Sequence, residues 1–575
     1  MGTDGKNAKQ VTKFNTHPVR FLSMAKNGTL CFGYNGEIYT MAAGAQAKKL
    51  AVNITLDSPT NKSQLLNVSG GSGSTLSPDG KQIAFVSRGE IFVTAVDYAT
   101  TKQITKTAES ESSPSFGADN RTLAYASERD GYWNIYLASI SREDDPNFPN
   151  ATLIEEKPLF KGDKIDRTAP KFSPDGKELA FVENRDRLMV MDMASGKVRQ
   201  ITTGEQHYST TGSMDYHWSP DGKWFALAYT GNQHDPYSDI GIVSAAGGQI
   251  HNLTNTGYFD ESPEWVLDGN ALLFATDRYG MRSHASWGSE YDVMIIYLNR
   301  EAYEVAQMNK EEYEIYKEAK KKAEEAEKKA AEAEKKDDKK GDKPAEKKPE
   351  VKPITIELEN IEERIVRLTP NSGSLSSYTL NKDGDKLYYI ISYEGRNDMW
   401  EMDLRSRENK ATQRGVGGGS LAWDKKMENM FLLGGQMKKF KGGTGNPTPI
   451  TVRADMMLDN AAERDYMFDR VYRQEKARFY HTNMHGVDWE AMRDNYQRFL
   501  PHIDNNYDFA EMLSEWLGEL NVSHTGGRYT HPTTSSDDQT ADLGLFFDLN
   551  STVDGLLIEE VIVGGPFDKA SSKVK

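Results

Sequence analysis

At 575 residues the chain is longer than one hydrophobic core organises, so several domains are expected. A formal net charge of −16 argues against a nucleic-acid backbone as ligand, because phosphate contacts need clustered Lys and Arg. The single cysteine, Cys31, excludes an intrachain disulfide and a multi-cysteine zinc site. The longest apolar runs, such as residues 293–298, have the length of strands and not of membrane-spanning helices. The first 20 residues lack the basic and apolar regions of a secretory signal, so either the chain stays in the cytoplasm or this is not its native N-terminus.

In chain order, the dominant feature is a repeat. Its clearest copies are SPDGKQIAFVS (77–87), SPDGKELAFVE (173–183) and SPDGKWFALAY (219–229). Weaker copies are GADNRTLAYAS (117–127), LDGNALLFATD (267–277) and KDGDKLYYIIS (382–392), with outliers AKNGTLCFGYN (25–35) and WDKKMENMFLL (423–433). In each copy an Asp-Gly turn reverses the chain, because Gly tolerates positive φ and Asp bonds to its own backbone. An apolar strand follows, then another ending in a motif such as EIYTM (37–41), NIYLA (134–138) or DMWEMDL (398–404). Such sheets bury their faces only by stacking, which predicts a β-propeller over 1–450. Seven blades are expected, and the degenerate terminal copies leave eight open. The repeats resemble the PD40/TolB-type propellers. His207, His217, His234, His251 and His284 fall in this region without zinc-ligand spacing and are expected in turns or blade edges.

Residues 301–353 interrupt the pattern. EEYEIYKEAKKKAEEAEKKAAEAEKK is a strong helix former with repeated i, i+4 Glu–Lys pairs and no apolar seam. KKGDKPAEKKPEVKP has a disordered composition. Together they read as a solvated insertion in a blade-to-blade connection.

Beyond GGTGNPTP (442–449) the period becomes helical. Residues 459–480 place Met467, Phe468, Val471 and Tyr472 on one side. Asp488 is placed to cap a second helix that ends before Pro501, and Asp508 to cap a third, FAEMLSEWLGEL. The third helix delivers Ser523 and His524 into a turn closed by Gly526 and Gly527. A histidine just past a helix C-terminus feels the negative end of the dipole, which favours its protonated form and suits a proton acceptor. His481 and His485 have i, i+4 spacing, but Gly486 and the Asp488 cap place them in a loop, where structural roles are expected.

YHTNMHGVDWEAMRDNY (480–496) and LGELNVSHTGG (517–527) resemble the C1 core domain of tricorn-type serine peptidases of the S41 clan. The order propeller, helical C1, PDZ-like segment matches that family. The resemblance divides the chain into a propeller at 1–450, C1 at 451–535 and the start of a PDZ domain at 540–575. The family's active site is a tetrad, and its C1 Ser-His pair matches Ser523 and His524. The nucleophilic serine and a glutamate come from a later C2 domain. By resemblance His524 is a general base and Ser523 orients the site by hydrogen bonding. DLGLFF (542–547) and GLLIEEVIVGGPFDKA (555–570) resemble a PDZ start, in which Leu543, Gly544, Leu545 and Phe546 form the loop receiving a peptide carboxylate.

No GxSxG elbow occurs, and Lys9 to Leu22 resembles the seam between the family's two propellers. The expectation is an internal fragment of an oligopeptide-degrading serine endopeptidase, inactive alone. The resemblance also implies a homohexamer with peptide substrates, no metal and no organic cofactor. It leaves cytoplasm and periplasm open. A propeller–PDZ scaffold that binds peptides or proteins without cleaving them, in the manner of TolB-type propellers, is the alternative.

Overall fold

The three SPDG turns show how the repeat builds its sheets. In each, the glycine N–H bonds the carbonyl of the serine three residues earlier, and Gly80, Gly176 and Gly222 take φ of +70°, +75° and +70°. The serine hydroxyl donates to the aspartate at 2.6, 2.8 and 2.6 Å. It also accepts the N–H that opens the next strand, from Gln82, Glu178 and Trp224 at 2.9, 3.0 and 2.9 Å. The aspartate accepts the N–H two residues on, at Lys81, Lys177 and Lys223. The tetrapeptide is thus a self-satisfied hydrogen-bonded unit whose register sets the strand after it.

The computed structural model describes the chain apart from residues 1–5, 7, 54, 56–62, 208–213, 232–235, 284–287, 338–352, 394, 444, 531–541 and 572–575. It divides into two compact units, Met1–Asn61 and Lys62–Lys575. The first unit holds one four-stranded antiparallel sheet between residues 20 and 49, with Asn27 in its first turn. The second unit holds, among the described residues, seven four-stranded antiparallel meanders, here sheets I to VII. Their innermost strands are Ser72–Leu76, Glu111–Phe116, Arg167–Phe172, Tyr216–Trp218, Asp260–Val266, Ser374–Leu380 and Ser420–Trp423. Each sequence repeat is the turn and second strand of one sheet.

Neighbouring sheets share apolar cores. Phe116, Leu123 and Tyr125 of sheet II meet Ala84, Ile91 and Val93 of sheet I, and five similar clusters run from II to VII. Phe431 and Leu433 of sheet VII then meet Ile83, Phe85 and Phe92 of sheet I, which closes the ring. Outside the sheets, the chain enters the ring through Ser63–Val68 and leaves it through Ala454–Asp459, and these two strands pair antiparallel.

A second recurring device locks sheet interiors. Thr105, Thr254 and Thr369 donate their hydroxyls to Glu90, Asp239 and Asp292 at the start of third strands. The same hydroxyls accept the next N–H, from Ile91, Ile240 and Val293, at 2.9, 3.1 and 3.1 Å. Every buried polar group in this arrangement has a partner, as burial requires.

The charged insertion starts with helices α1 (Arg300–Gln307) and α2 (Lys310–Asp337). It joins the third and fourth strands of sheet V, Asp292–Tyr297 and Ile365–Arg367, and so lies within one sheet and not between blades. Its base is anchored. Arg405 of sheet VI donates to the carbonyls of Val305, Ala306 and Met308, capping α1, and its guanidinium lies 4.1 Å from the Tyr313 ring centre. The segment expected to be disordered lies almost wholly outside the described residues.

Three helices follow the ring: α3 (Asn460–Arg478), α4 (Trp489–Gln497) and α5 (Asn506–Gly518). Among the described residues no helix is long and apolar enough to cross a membrane.

Candidate functional site

The helices pack around Trp516, which is fully buried between Phe468 of α3 and Trp489 of α4, with ring centres at 4.4 and 4.7 Å. Asp488 caps α4 by accepting the Ala491 N–H at 3.0 Å, as expected. The cap of α5 is Asn505 and not Asp508. Asn505 accepts the Asp508 N–H at 2.9 Å, and the Asp508 carboxylate accepts from the Asn505 amide at 2.8 Å. Asp508 is the answering half of a reciprocal cap, so the helix starts earlier than the apolar pattern does.

Helix α3 fixes this domain to the ring. The fully buried Glu128 carboxylate accepts from the Tyr466 hydroxyl and from Arg473 at 3.1 Å, with Arg470 at 3.5 Å. Arg88 of sheet I pairs with Glu463 at 2.7 Å.

Past α5 the chain tightens. The N–H groups of Glu519, Leu520 and Asn521 bond three residues back, and Asn521 turns left-handed at φ +50°. Leu520 is fully buried and Val522 packs on the helical core. The loop then folds back on α5, where a Cβ on Gly527 would stand 2.8 Å from the Ala510 carbonyl oxygen. Only glycine permits that approach. Pinned at both ends, the loop carries Ser523 and His524 exposed at its crest, with His524 at φ +65°. Among the described residues no hydrogen bond or ion pair reaches either side chain.

The regular turns of α5 end at Gly518, well before His524, so the helix-end field expected at this histidine does not extend to it. The imidazole that meets the end of α5 is His485. Its Nδ1 lies 3.1 Å from the Leu520 carbonyl oxygen and its Nε2 lies 2.5 Å from the Tyr480 hydroxyl. The structural role expected of His485 is thereby explained, while His481 is exposed beside it.

An exposed imidazole on a fixed loop can accept a proton from a hydroxyl brought within about 2.6–3.2 Å. Residues 460–518 match the tricorn protease C1 domain model, a match that ends just before this loop, and residues 158–283 match the TolB β-propeller model. A tricorn protease homologue of Saccharolobus solfataricus is 20% identical over 573 residues, covering 97% of this chain and 49% of the relative. Tricorn protease homologue 1 of Streptomyces coelicolor is 25% identical over 374 residues, covering 61% of this chain and 33% of the relative. The crystal structure of the tricorn protease superposes with a TM-score of 0.64 at 15% identity, over 96% of this chain and 50% of that one. The chain is thus similar to tricorn protease homologues along nearly its whole length and shares the fold of the tricorn protease. It spans a third to a half of the length of the curated relatives.

In this chain Leu543, Gly544, Leu545 and Phe546 lead into a hairpin of Leu545–Phe547 with Ile558–Val561. Leu543 and Phe546 are exposed. The Gly544 N–H is not open to a peptide carboxylate, because the Asp542 carboxylate accepts it at 2.6 Å. His234 and His284 lie outside the described residues. His217 lies on an innermost strand and not in a turn, and His251 lies on an outer one. Among the described residues no group of three or more His, Cys, Asp or Glu is arranged to hold a metal ion.

The ring's lumen was not legible as a site. Asp215, His217, Glu261 and Glu264 from sheets IV and V line a cavity of about 320 Å³ with Tyr291 and Tyr378. His217 Nε2 lies 3.1 Å from Asp215 Oδ1, and both side chains are roughly 40% exposed. Burial pushes Glu264 up to about 8, and the neighbouring Asp215 charge adds to it. Burial opposes ionisation of Asp215 too, but the His217 hydrogen bond and the His217 and Lys171 charges hold it down to about 2. The signal available was position. Lys171, His217 and Glu264 each precede an aromatic residue at or one short of the end of the innermost strand, in PKF, YHW and PEW.

Proposed function

We propose that this chain is the propeller and C1 portion of a serine peptidase acting on oligopeptides, with His524 as its general base. The observation that carries the reading is an exposed imidazole, with no hydrogen bond among the described residues, on a loop held at both ends, in a chain similar to tricorn proteases. His524 accepts the proton of a serine hydroxyl as that oxygen attacks the peptide carbonyl, then returns it to the leaving amine. Ser523, beside it on the crest, orients the constellation by hydrogen bonding. The nucleophilic serine and the glutamate belong, on this reading, to sequence outside residues 1–575, in keeping with the greater length of the relatives. The same reading assigns peptide substrates, a homohexameric assembly, and a PDZ loop at Leu543, Gly544, Leu545 and Phe546. A peptide carboxylate would there displace Asp542 from Gly544.

The test uses the protein extended through its downstream reading frame and a set of fluorogenic oligopeptides. His524→Ala is expected to lower kcat/KM about 10²- to 10⁴-fold with an unchanged melting curve. Wild-type turnover in that variant removes His524 from the mechanism. Peptide binding without turnover by the unmutated protein would point to a propeller–PDZ scaffold.

A further inference from the structure

The loop bearing Ser523 and His524 begins at a carbonyl that the helix leaves without an intrahelical partner. Leu520 lies two residues beyond the end of α5 at Gly518, and a carbonyl buried there without a donor is costly. The Leu520 carbonyl is met by His485 Nδ1 at 3.1 Å. A carbonyl only accepts, so Nδ1 carries the hydrogen. In the neutral ring Nε2 is then the acceptor, facing the Tyr480 hydroxyl at 2.5 Å.

Met484, His485 and Gly486 are successively left-handed, with φ of +51°, +57° and +80°. Two of them carry side chains, for which that conformation is unfavourable unless the surroundings impose it. Met484 is buried in the helical core and anchors the turn, and Phe479 meets the His485 ring edge-on at 5.1 Å. The imidazole is therefore held in one place, against the residue from which the loop departs.

We infer that Tyr480 and His485 are a positioning pair: the Leu520 carbonyl sets the tautomer of His485, Tyr480 steadies its ring at Nε2, and His485 fixes the departure of the loop and with it the place of the His524 ring. The inference rests on the peptidase reading for its functional meaning. Neither residue touches the reacting atoms.

Three variants test it. His485→Phe keeps a ring without the donor. His485→Asn keeps a donor, because the Asn Nδ2 stands near the place of Nδ1. Tyr480→Phe removes only the hydroxyl. In the 575-residue chain, amide exchange over residues 521–527 is expected to speed at least tenfold in His485→Phe and to return to the wild-type rate in His485→Asn. Tyr480→Phe is expected to move the His485 Nε2 15N shift, because that nitrogen loses its hydrogen-bond partner. In the extended enzyme His485→Phe is expected to lower kcat about 10- to 100-fold at unchanged KM, with recovery in His485→Asn. Wild-type loop exchange and kcat in His485→Phe overturn the inference. Should that variant not fold, unaltered imidazole shifts in Tyr480→Phe overturn it. Altered exchange in an enzyme whose turnover ignores His524 would instead sustain the brace and refute the peptidase reading.

Discussion

Burial and hydrogen bonding act against one another at the carboxylates inside the sheets. Glu90 is almost fully buried, and burial pushes it up to about 7 despite the bonds from Thr105 and Thr107. Burial likewise lifts Asp260 to about 6. In the folded state these groups hold protons that the unfolded chain releases nearer pH 4. The stability these two groups contribute is therefore lost as pH rises through the window from about 4.5 to 7. The melting temperature should drop across that interval, and Glu90→Gln should give a shallower slope. An unchanged slope would mean that Glu90 is ionised in the fold. The SPDG units were readable because their hydrogen bonds close within five residues. The threonine locks were not, because their partners lie 15, 15 and 77 residues away, although the dipeptides Ile104-Thr105, Leu253-Thr254 and Leu368-Thr369 repeat visibly.

Among the elements, helix α3 shows how a polar contact can seat one domain on another. Glu128 leaves the ring's second sheet as a buried carboxylate and is satisfied wholly from α3, by Tyr466, Arg470 and Arg473. Glu128→Ala should lower stability by about 2–4 kcal/mol, since it strips the partner from a desolvated cluster. Exchange should rise in α3 while the seven sheets keep their protection. Uniform loss everywhere would show that the helices and ring unfold as one. Helices α3 and α4 were legible from periodicity and the Asp488 cap. The start of α5 was missed because Asn505 precedes the apolar stretch, so the pattern and the cap disagree there. The insertion's helices were also plain in the composition. Their attachment was not, because Arg405, which caps α1, comes from a different sheet.

The ring is also clasped by a contact far apart in sequence. Ser63–Val68 and Ala454–Asp459 pair along their length, with Met456 and Leu458 buried beneath. Met456→Asp places a carboxylate in that apolar layer and should cost about 3 kcal/mol or open the clasp. Exchange should then rise together in sheets I and VII, and unaltered protection there would show that the ring closes without these strands. The repeats announced a propeller but gave no hint of this pairing, since neither strand carries the repeat.

That pairing makes the propeller a cassette. Its two chain crossings are hydrogen-bonded neighbours, so the segment between them could be lifted out, or another grafted in, with almost no gap to bridge. A permuted version, opened at the exposed Gly395 and spliced across the old crossings, has no geometric reason not to assemble. Growth of the ring by whole sheets would leave the helices beyond it undisturbed.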